Sequence, residues 1–276
     1  MFSKRRIRDH LLAHWQPFYR GITPLTDFIA SLGLGVRYLT VLMTLSKITI
    51  LSILVLMASC SLFEPDKGVS DSYTFESEAI GEIGVAAIYH PESYTDSIPV
   101  IYLLNGYGTD AFAWETGIDL AREAHERNIM FVSLSAGYNL YKNDYELYVL
   151  EIVEGVEAEY GIEIEHTQRA LCGISNGGGG AVYIMSQNPE IFSACGSLSG
   201  TYYSGINFPR LRNHGIRIDV GKDDDTVLRD LQRLHSKLND ERIDHDYFEH
   251  AGAHDWTFWK RYCPEQFDFL EALITE

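Results

Sequence analysis

The clearest chemical signal in the chain is the segment Gly173-Ile174-Ser175-Asn176-Gly177. It follows an apolar run, RALCG, and opens a glycine-rich stretch, GGGGAVYIM. A serine on a sharp strand-to-helix turn exposes its hydroxyl and sits at a helix N-terminus. Small residues two positions either side relieve the crowding such a turn creates. A free hydroxyl is almost never ionised near neutral pH, so a nucleophilic serine needs a base. Five histidines follow Ser175: His214, His235, His245, His250 and His254. His235 falls inside an amphipathic helix, and His245 and His250 at the ends of a short strand. His254 stands in a brief loop, Gly252-Ala253-His254-Asp255-Trp256, just before the last helix. That is the place for the base.

The third member of such a relay is a carboxylate that holds the imidazole tautomer and stabilises the imidazolium. Where the chain order is serine, acid, histidine, the acid follows the strand preceding the histidine. Here that loop is Gly221-Lys222-Asp223-Asp224-Asp225, and spacing does not choose among its three aspartates. At least one of the others is expected to cap the helix beginning near Thr226. Acyl transfer also needs two backbone N–H groups for the developing oxyanion. Asn176, the residue after the serine, supplies one. The second is assigned to Tyr107, in the loop Asn105-Gly106-Tyr107-Gly108 after the strand VIYLL.

The elements that must hold these residues alternate along the chain. Strands are predicted at Gly84–Tyr89, Val100–Leu104, Met130–Leu134, Arg169–Gly173, Ala194–Leu198, Ile216–Val220 and Asp246–Glu249. The central ones are continuous apolar runs, as for strands buried on both faces of a parallel sheet. Helices are predicted at Phe112–Glu126, Tyr145–Tyr160, Gly178–Gln187, Thr226–Leu238 and Trp256–Leu273. This alternation predicts an α/β fold with a mostly parallel central sheet flanked by helices. Residues 73–276 form that domain.

The chain has 276 residues, 46% hydrophobic and 22% charged, an ordinary globular composition. Its formal net charge of −17 gives a nucleic-acid-binding role no electrostatic footing. Residues 60–276 hold 15 of the 22 basic and 37 of the 39 acidic residues, so this part is near −22. Neither HExxH nor paired CxxC occurs, and His245 and His250 point opposite ways on a strand, so no metal is expected. Gly177–Gly180 lacks the GK[ST] of a phosphate-binding loop, and no cofactor is expected.

Residues 1–59 read as an address. Ile48–Met57 is a ten-residue apolar core with Lys47 on its flank, too short for a comfortable membrane span. It ends in Leu56-Met57-Ala58-Ser59-Cys60, which resembles the lipobox of bacterial lipoprotein signals. Cys60 is then the lipid-bearing first residue of an exported, envelope-anchored protein. A start at Met43 would make residues 1–42 an upstream extension. The alternative is an uncleaved signal-anchor helix over Tyr38–Phe63. Residues 60–72 read as a tether. With Cys60 consumed, three cysteines remain, so at least one is free, with Cys172 the first choice.

PVIYLLNGYG, RALCGISNGGGGAVYIMSQNPEIFSACGSLSG, DVGKDDDTVLRDLQRLHSKL and AGAHDWTFWKRYCPEQFDFL resemble four blocks of the esterase D-like family of α/β-hydrolases. That family includes S-formylglutathione hydrolases, feruloyl and acetyl-xylan esterases, enterochelin esterases and mycolyltransferases. The resemblance covers about residues 75–272, and rests on the combination of GxSxGG, GxxD and HxWxxW. It implies an α/β-hydrolase fold, Ser175 as nucleophile, His254 as base, Asp224 as acid, and the amides of Tyr107 and Asn176 as oxyanion donors. Two positions depart from the family pattern: Asn105 stands where the strand-end motif commonly has histidine, and Asn176 where methionine is common. Both side chains are therefore expected to border the cleft and tune substrate preference.

The expectation is a serine carboxylic ester hydrolase with little or no lid, working through an acyl-enzyme on small or carbohydrate-linked esters. Asn105, Trp256 and Tyr202 are placed in its cleft. Two alternatives are an acyltransferase using the same site and a non-catalytic binding module, since fold alone does not establish activity.

Overall fold

The computed structural model describes residues 68–275. The expected leader, the lipidation site Cys60 and most of the expected tether lie outside them. Eight strands form one sheet: β1 (Val69–Glu76), β2 (Ile83–His90), β3 (Val100–Leu104), β4 (Met130–Leu134), β5 (Arg169–Ile174), β6 (Ala194–Leu198), β7 (Gly215–Gly221) and β8 (Asp246–His250). Their spatial order is β1-β2-β4-β3-β5-β6-β7-β8. β1 and β2 run antiparallel to their neighbours, and the six strands from β4 to β8 are parallel. Five α-helices accompany them: α1 (Leu120–Arg127), α2 (Asp144–Tyr160), α3 (Asn176–Gln187), α4 (Leu228–Asp240) and α5 (Trp256–Ile274).

The period-two geometry of a strand explains the continuous apolar runs. Val100, Tyr102 and Leu104 of β3 and Met130, Val132 and Leu134 of β4 enter one core, filled out by α2, α3 and α4. Ile101, Leu103 and Phe131 point the other way, into a core closed by α1 and α5. Both faces are covered, so both residue parities must be apolar. This is the α/β-hydrolase fold. Between β6 and β7 there is only a 3-10 turn (Phe208–Leu211), and no α-helix is inserted above the sheet among the described residues.

Three differences from the sequence reading have a physical reason in the surrounding contacts. β1 begins at Val69, inside the segment read as a tether; its alternating Ser and Asp residues hide an edge strand paired along all of β2. The helix expected over Phe112–Glu126 is instead a 3-10 turn (Ala113–Thr116) and then α1. Asp119 caps α1 by accepting from the Arg122 amide, and Trp256 packs so closely on Gly117 that a side chain there would overlap its ring. The helix expected from Thr226 starts at Leu228, because the Asp224 side chain accepts from the amides of Thr226 and Val227 and holds them in a turn.

Candidate active site

Register brings the ends of β3, β5, β6 and β7 level: Leu104 pairs with Gly173, Gly173 with Ser197, and Leu198 with Asp219. In a parallel sheet, ligands bind beyond these carboxyl ends. Ser175 occupies the turn between β5 and α3 with φ 53° and ψ −119°, left-handed for a residue with a side chain. Such strain is held only where surrounding contacts over-determine it. The Ser175 amide donates to Leu198 O (2.9 Å), and its carbonyl accepts from Gly179 N and Thr201 N. A Cβ on Gly177 would overlap the Leu104 carbonyl, and one on Gly173 the Gly177 carbonyl. The two glycines of the motif are thus demanded by close backbone approach.

His254 Nε2 lies 2.8 Å from Ser175 Oγ, and His254 Nδ1 lies 2.8 Å from Asp224 Oδ2. An ionised carboxylate only accepts, so Nδ1 carries the proton and Nε2 is left with a lone pair toward the serine hydroxyl. Asp224 is fully buried while the imidazole keeps partial access to solvent. Of the three aspartates, Asp224 is the one that meets the histidine. It is also the one that holds the turn before α4, one oxygen for each task; the cap residue Val227 takes no side-chain hydrogen bond, so the helix cap expected of a neighbouring aspartate is not formed. The loops carrying acid and histidine are lashed together by Lys222 N donating to His250 O (2.7 Å) and Asp223 N to Gly252 O (2.9 Å). Below them lies a second aspartate–histidine pair. Buried Asp219 accepts from His250 Nε2 (2.7 Å), Arg217 Nε (2.8 Å) and Gln266 Nε2 (2.6 Å). That pair explains why His250 is not available as the base.

Gly106 passes beside Ser175, with 3.7 Å between the Ser175 Cβ and the place of a Cβ on the glycine, so the loop that carries Tyr107 runs alongside the elbow. Among the described residues neither the Tyr107 nor the Asn176 amide finds an acceptor within the protein. Two free N–H groups flanking a nucleophile can receive a developing oxyanion.

Two of the side chains expected to border the cleft, Asn105 and Asn176, turn inward instead. Asn105 is fully buried, its Nδ2 donating to Asp110 O (2.8 Å) and Ser133 Oγ (3.1 Å), so it braces the loop instead of bordering the cleft. Asn176 is also buried. Its Nδ2 donates to Asn139 O (2.9 Å), and its Oδ1 accepts from Tyr203 OH (2.6 Å), which in turn accepts from Tyr141 N (3.1 Å). Burial pushes the phenols of Tyr141 and Tyr203 well above their ordinary range, so both remain donors. Tyr202 is half-buried under the Arg233 guanidinium, and Trp256 packs edge-on against Trp114 and Trp259. What the sequence reading missed is the loop after β4. Tyr138 and Leu140 in Gly137-Tyr138-Asn139-Leu140 are exposed, and the Tyr138 ring meets that of Tyr107. Their position directly after a central strand of a parallel sheet was the available signal.

Among known proteins, an acetyl esterase of Caldicellulosiruptor saccharolyticus is 22% identical over 228 residues, 65% of this chain and 85% of its own. The fluorophosphonate-binding serine hydrolase FphF of Staphylococcus aureus superposes with a TM-score of 0.67 at 15% identity, covering 74% of this chain and 98% of its own. A ferulic acid esterase does so with a TM-score of 0.66 at 17% identity, covering 75% and 99%. The family model “Esterase”, described as “Putative esterase”, matches residues 77–269, from the end of β1 to within α5. That span takes in every loop of the sheet's carboxyl edge, and the chain belongs to this family as a serine ester hydrolase of the α/β-hydrolase fold.

Proposed function

We propose that the chain hydrolyses short-chain carboxylic esters, carbohydrate-linked ones among them, through an acyl-enzyme on Ser175. The observation that carries this reading is the continuous relay Ser175 Oγ–His254 Nε2–His254 Nδ1–Asp224 Oδ2, with both contacts at 2.8 Å. As Ser175 attacks the carbonyl carbon, its proton passes to His254 Nε2. Asp224 holds the imidazolium, and the amides of Tyr107 and Asn176 receive the oxyanion. Collapse breaks the C–O bond, and His254 returns the proton to the departing alcohol. Water then repeats the sequence on the acyl-enzyme, releasing the acid and restoring the serine. The acetyl esterase relative supports a short acyl group.

The test is hydrolysis of p-nitrophenyl acetate by the purified protein and by Ser175→Ala. Loss of the nucleophile is expected to lower kcat by about a thousandfold or more with the fold intact by circular dichroism. A Ser175→Ala protein as active as the parent overturns the reading.

We further infer that the domain works outside the cytoplasm, attached through a lipid on Cys60. Lys47, the apolar run Ile48–Met57 and the small residues before Cys60 support this. A single acyl chain anchors only marginally, so stable attachment implies more than one. Mass spectrometry of the membrane fraction is expected to find an acylated N-terminal Cys60; mature protein with an intact, unlipidated leader overturns it.

A further inference from the structure

The elbow requires Gly177, yet the glycines continue through Gly180. A Cβ on Gly179 would overlap the Thr201 carbonyl and press on the Tyr203 ring, and one on Gly180 would press on the Tyr141 ring. The first turn of α3 is thus cleared for two tyrosines, one from the loop after β4 and one from the loop after β6. Both are buried, and their hydroxyls are fully engaged. The Tyr203 hydroxyl accepts from the Tyr141 amide (3.1 Å) and donates to Asn176 Oδ1 (2.6 Å), while Asn176 Nδ2 donates to Asn139 O (2.9 Å). The Tyr141 hydroxyl accepts from the Ala136 amide (3.3 Å) and faces the carbonyls of Asn105 (3.1 Å) and Leu134 (3.2 Å). Asn105 immediately precedes Gly106 in the loop that carries Tyr107. Two adjoining tyrosines therefore touch both segments whose amides are assigned to the oxyanion.

We propose that Tyr203, backed by Tyr141, is a positioning residue for acyl transfer: its hydroxyl fixes the Asn176 side chain and, through it, the direction of the Asn176 amide beside Ser175. The inference rests on the ester hydrolase reading above and adds a residue to its site. Asn176 is the first residue of α3, where the N–H has no partner within the helix, so the helix ladder does not fix its direction. Its own side chain supplies the constraint. A planar amide tied at both ends resists rotation, because turning it would pull one end from its partner and leave a buried polar group unpaired. Oxyanion donors accelerate a reaction only when they are aimed in advance at the place where charge develops. The Tyr141 hydroxyl extends the same frame to Asn105, so the two donor segments are braced against one another. Burial keeps the Tyr203 phenol protonated, and its donor role holds across the ordinary pH range. Tyr203 acts through Asn176 and not on the reacting atoms, so it is not itself catalytic.

The experiment removes one oxygen at a time from the full chain. The parent, Tyr203→Phe and Tyr183→Phe are compared on p-nitrophenyl acetate and for inhibition by phenylboronic acid, whose tetrahedral adduct on Ser175 carries an oxygen that competes for the oxyanion donors. Tyr183 packs against the Tyr203 ring, but its hydroxyl faces Glu146, so Tyr183→Phe should match the parent. Tyr203→Phe is expected to lower kcat roughly tenfold with KM within about twofold, part of the hundredfold or more lost with a whole donor. Phenylboronic acid should weaken by the same factor. In an Asn176→Leu background, where the hydroxyl has no side-chain acceptor, Tyr203→Phe should cause no further loss. An unchanged kcat in Tyr203→Phe overturns the proposal. So does a lower kcat with phenylboronic acid binding unchanged, the mark of a general packing fault, or an equal loss in the Asn176→Leu background. Each of these results, obtained with an active parent, removes the positioning role alone. A parent that does not hydrolyse p-nitrophenyl acetate overturns the ester hydrolase reading and this one with it.

Discussion

Asp224 does two jobs with two oxygens, and this separates it from its neighbours in a way their shared chemistry does not. Oδ2 faces His254 Nδ1, while Oδ1 accepts two amides that fix the carboxylate's direction. Asp223 and Asp225 are exposed and carry no such constraint. Asp224→Asn is expected to lower kcat on p-nitrophenyl acetate by about a thousandfold or more. An amide NH₂ toward Nδ1 favours the wrong imidazole tautomer, for which losses near 10⁴ are typical. Asp223→Asn and Asp225→Asn should stay within about threefold of the parent, since neither touches the relay. A rank order in which either of them is the most impaired would move the acid to that residue.

At the scale of the element, the strand–turn–helix unit around Ser175 depends on backbones coming together more closely than side chains permit. Gly177 sits against the last carbonyl of β3, so Gly177→Ala must push α3 away from the sheet or twist the elbow. A loss of about 3 kcal/mol is expected, which lowers Tm by roughly 6–12 °C in a domain of this size. Activity should fall as well. Gly81 is the contrasting case, for it has a positive φ (+66°), which Gly177 lacks, but no atoms near the added Cβ. Gly81→Ala should cost only the backbone term, about 1 kcal/mol. Equal melting shifts for the two variants would show that close packing at the elbow is not what requires glycine.

At the scale of the whole molecule, two cores on opposite faces of one sheet bury the central strands β3, β4 and β6 completely, and three cysteines with them. Cys172, Cys195 and Cys263 are free and buried, and burial pushes their thiols well above the ordinary range. A thiol kept protonated and out of solvent does not react. Peptide mapping after native alkylation should therefore find all three unmodified, and alkylation after unfolding without reductant should find all three labelled. Labelling of any of them in the folded protein would reveal an opening of the sheet's faces absent from this structure. The sequence parity argument left at least one unpaired thiol, and all three are unpaired.

The strands β3, β4 and β6 were legible to the residue, because a strand buried on both faces must be a short unbroken apolar run between turn residues. Ser175 stood out for a related reason. An exposed hydroxyl on a strained turn needs glycines at fixed offsets, and that local requirement is written in consecutive letters. β1 was not legible, since an edge strand that covers one face needs few apolar residues. Nor were the roles of Asn105 and Asn176, which look like cleft residues by position in the chain. Their partners come from other segments, Ser133 from β4 and Asn139 and Tyr203 from loops, and only packing decides whether a polar side chain turns outward or into such a network. The same holds for Tyr138, one of 17 tyrosines in the sequence until the fold sets it beside Tyr107. Local backbone demands can be read along the chain. Which side chains share a site depends on contacts between segments far apart in sequence, and those exist only once the sheet has assembled.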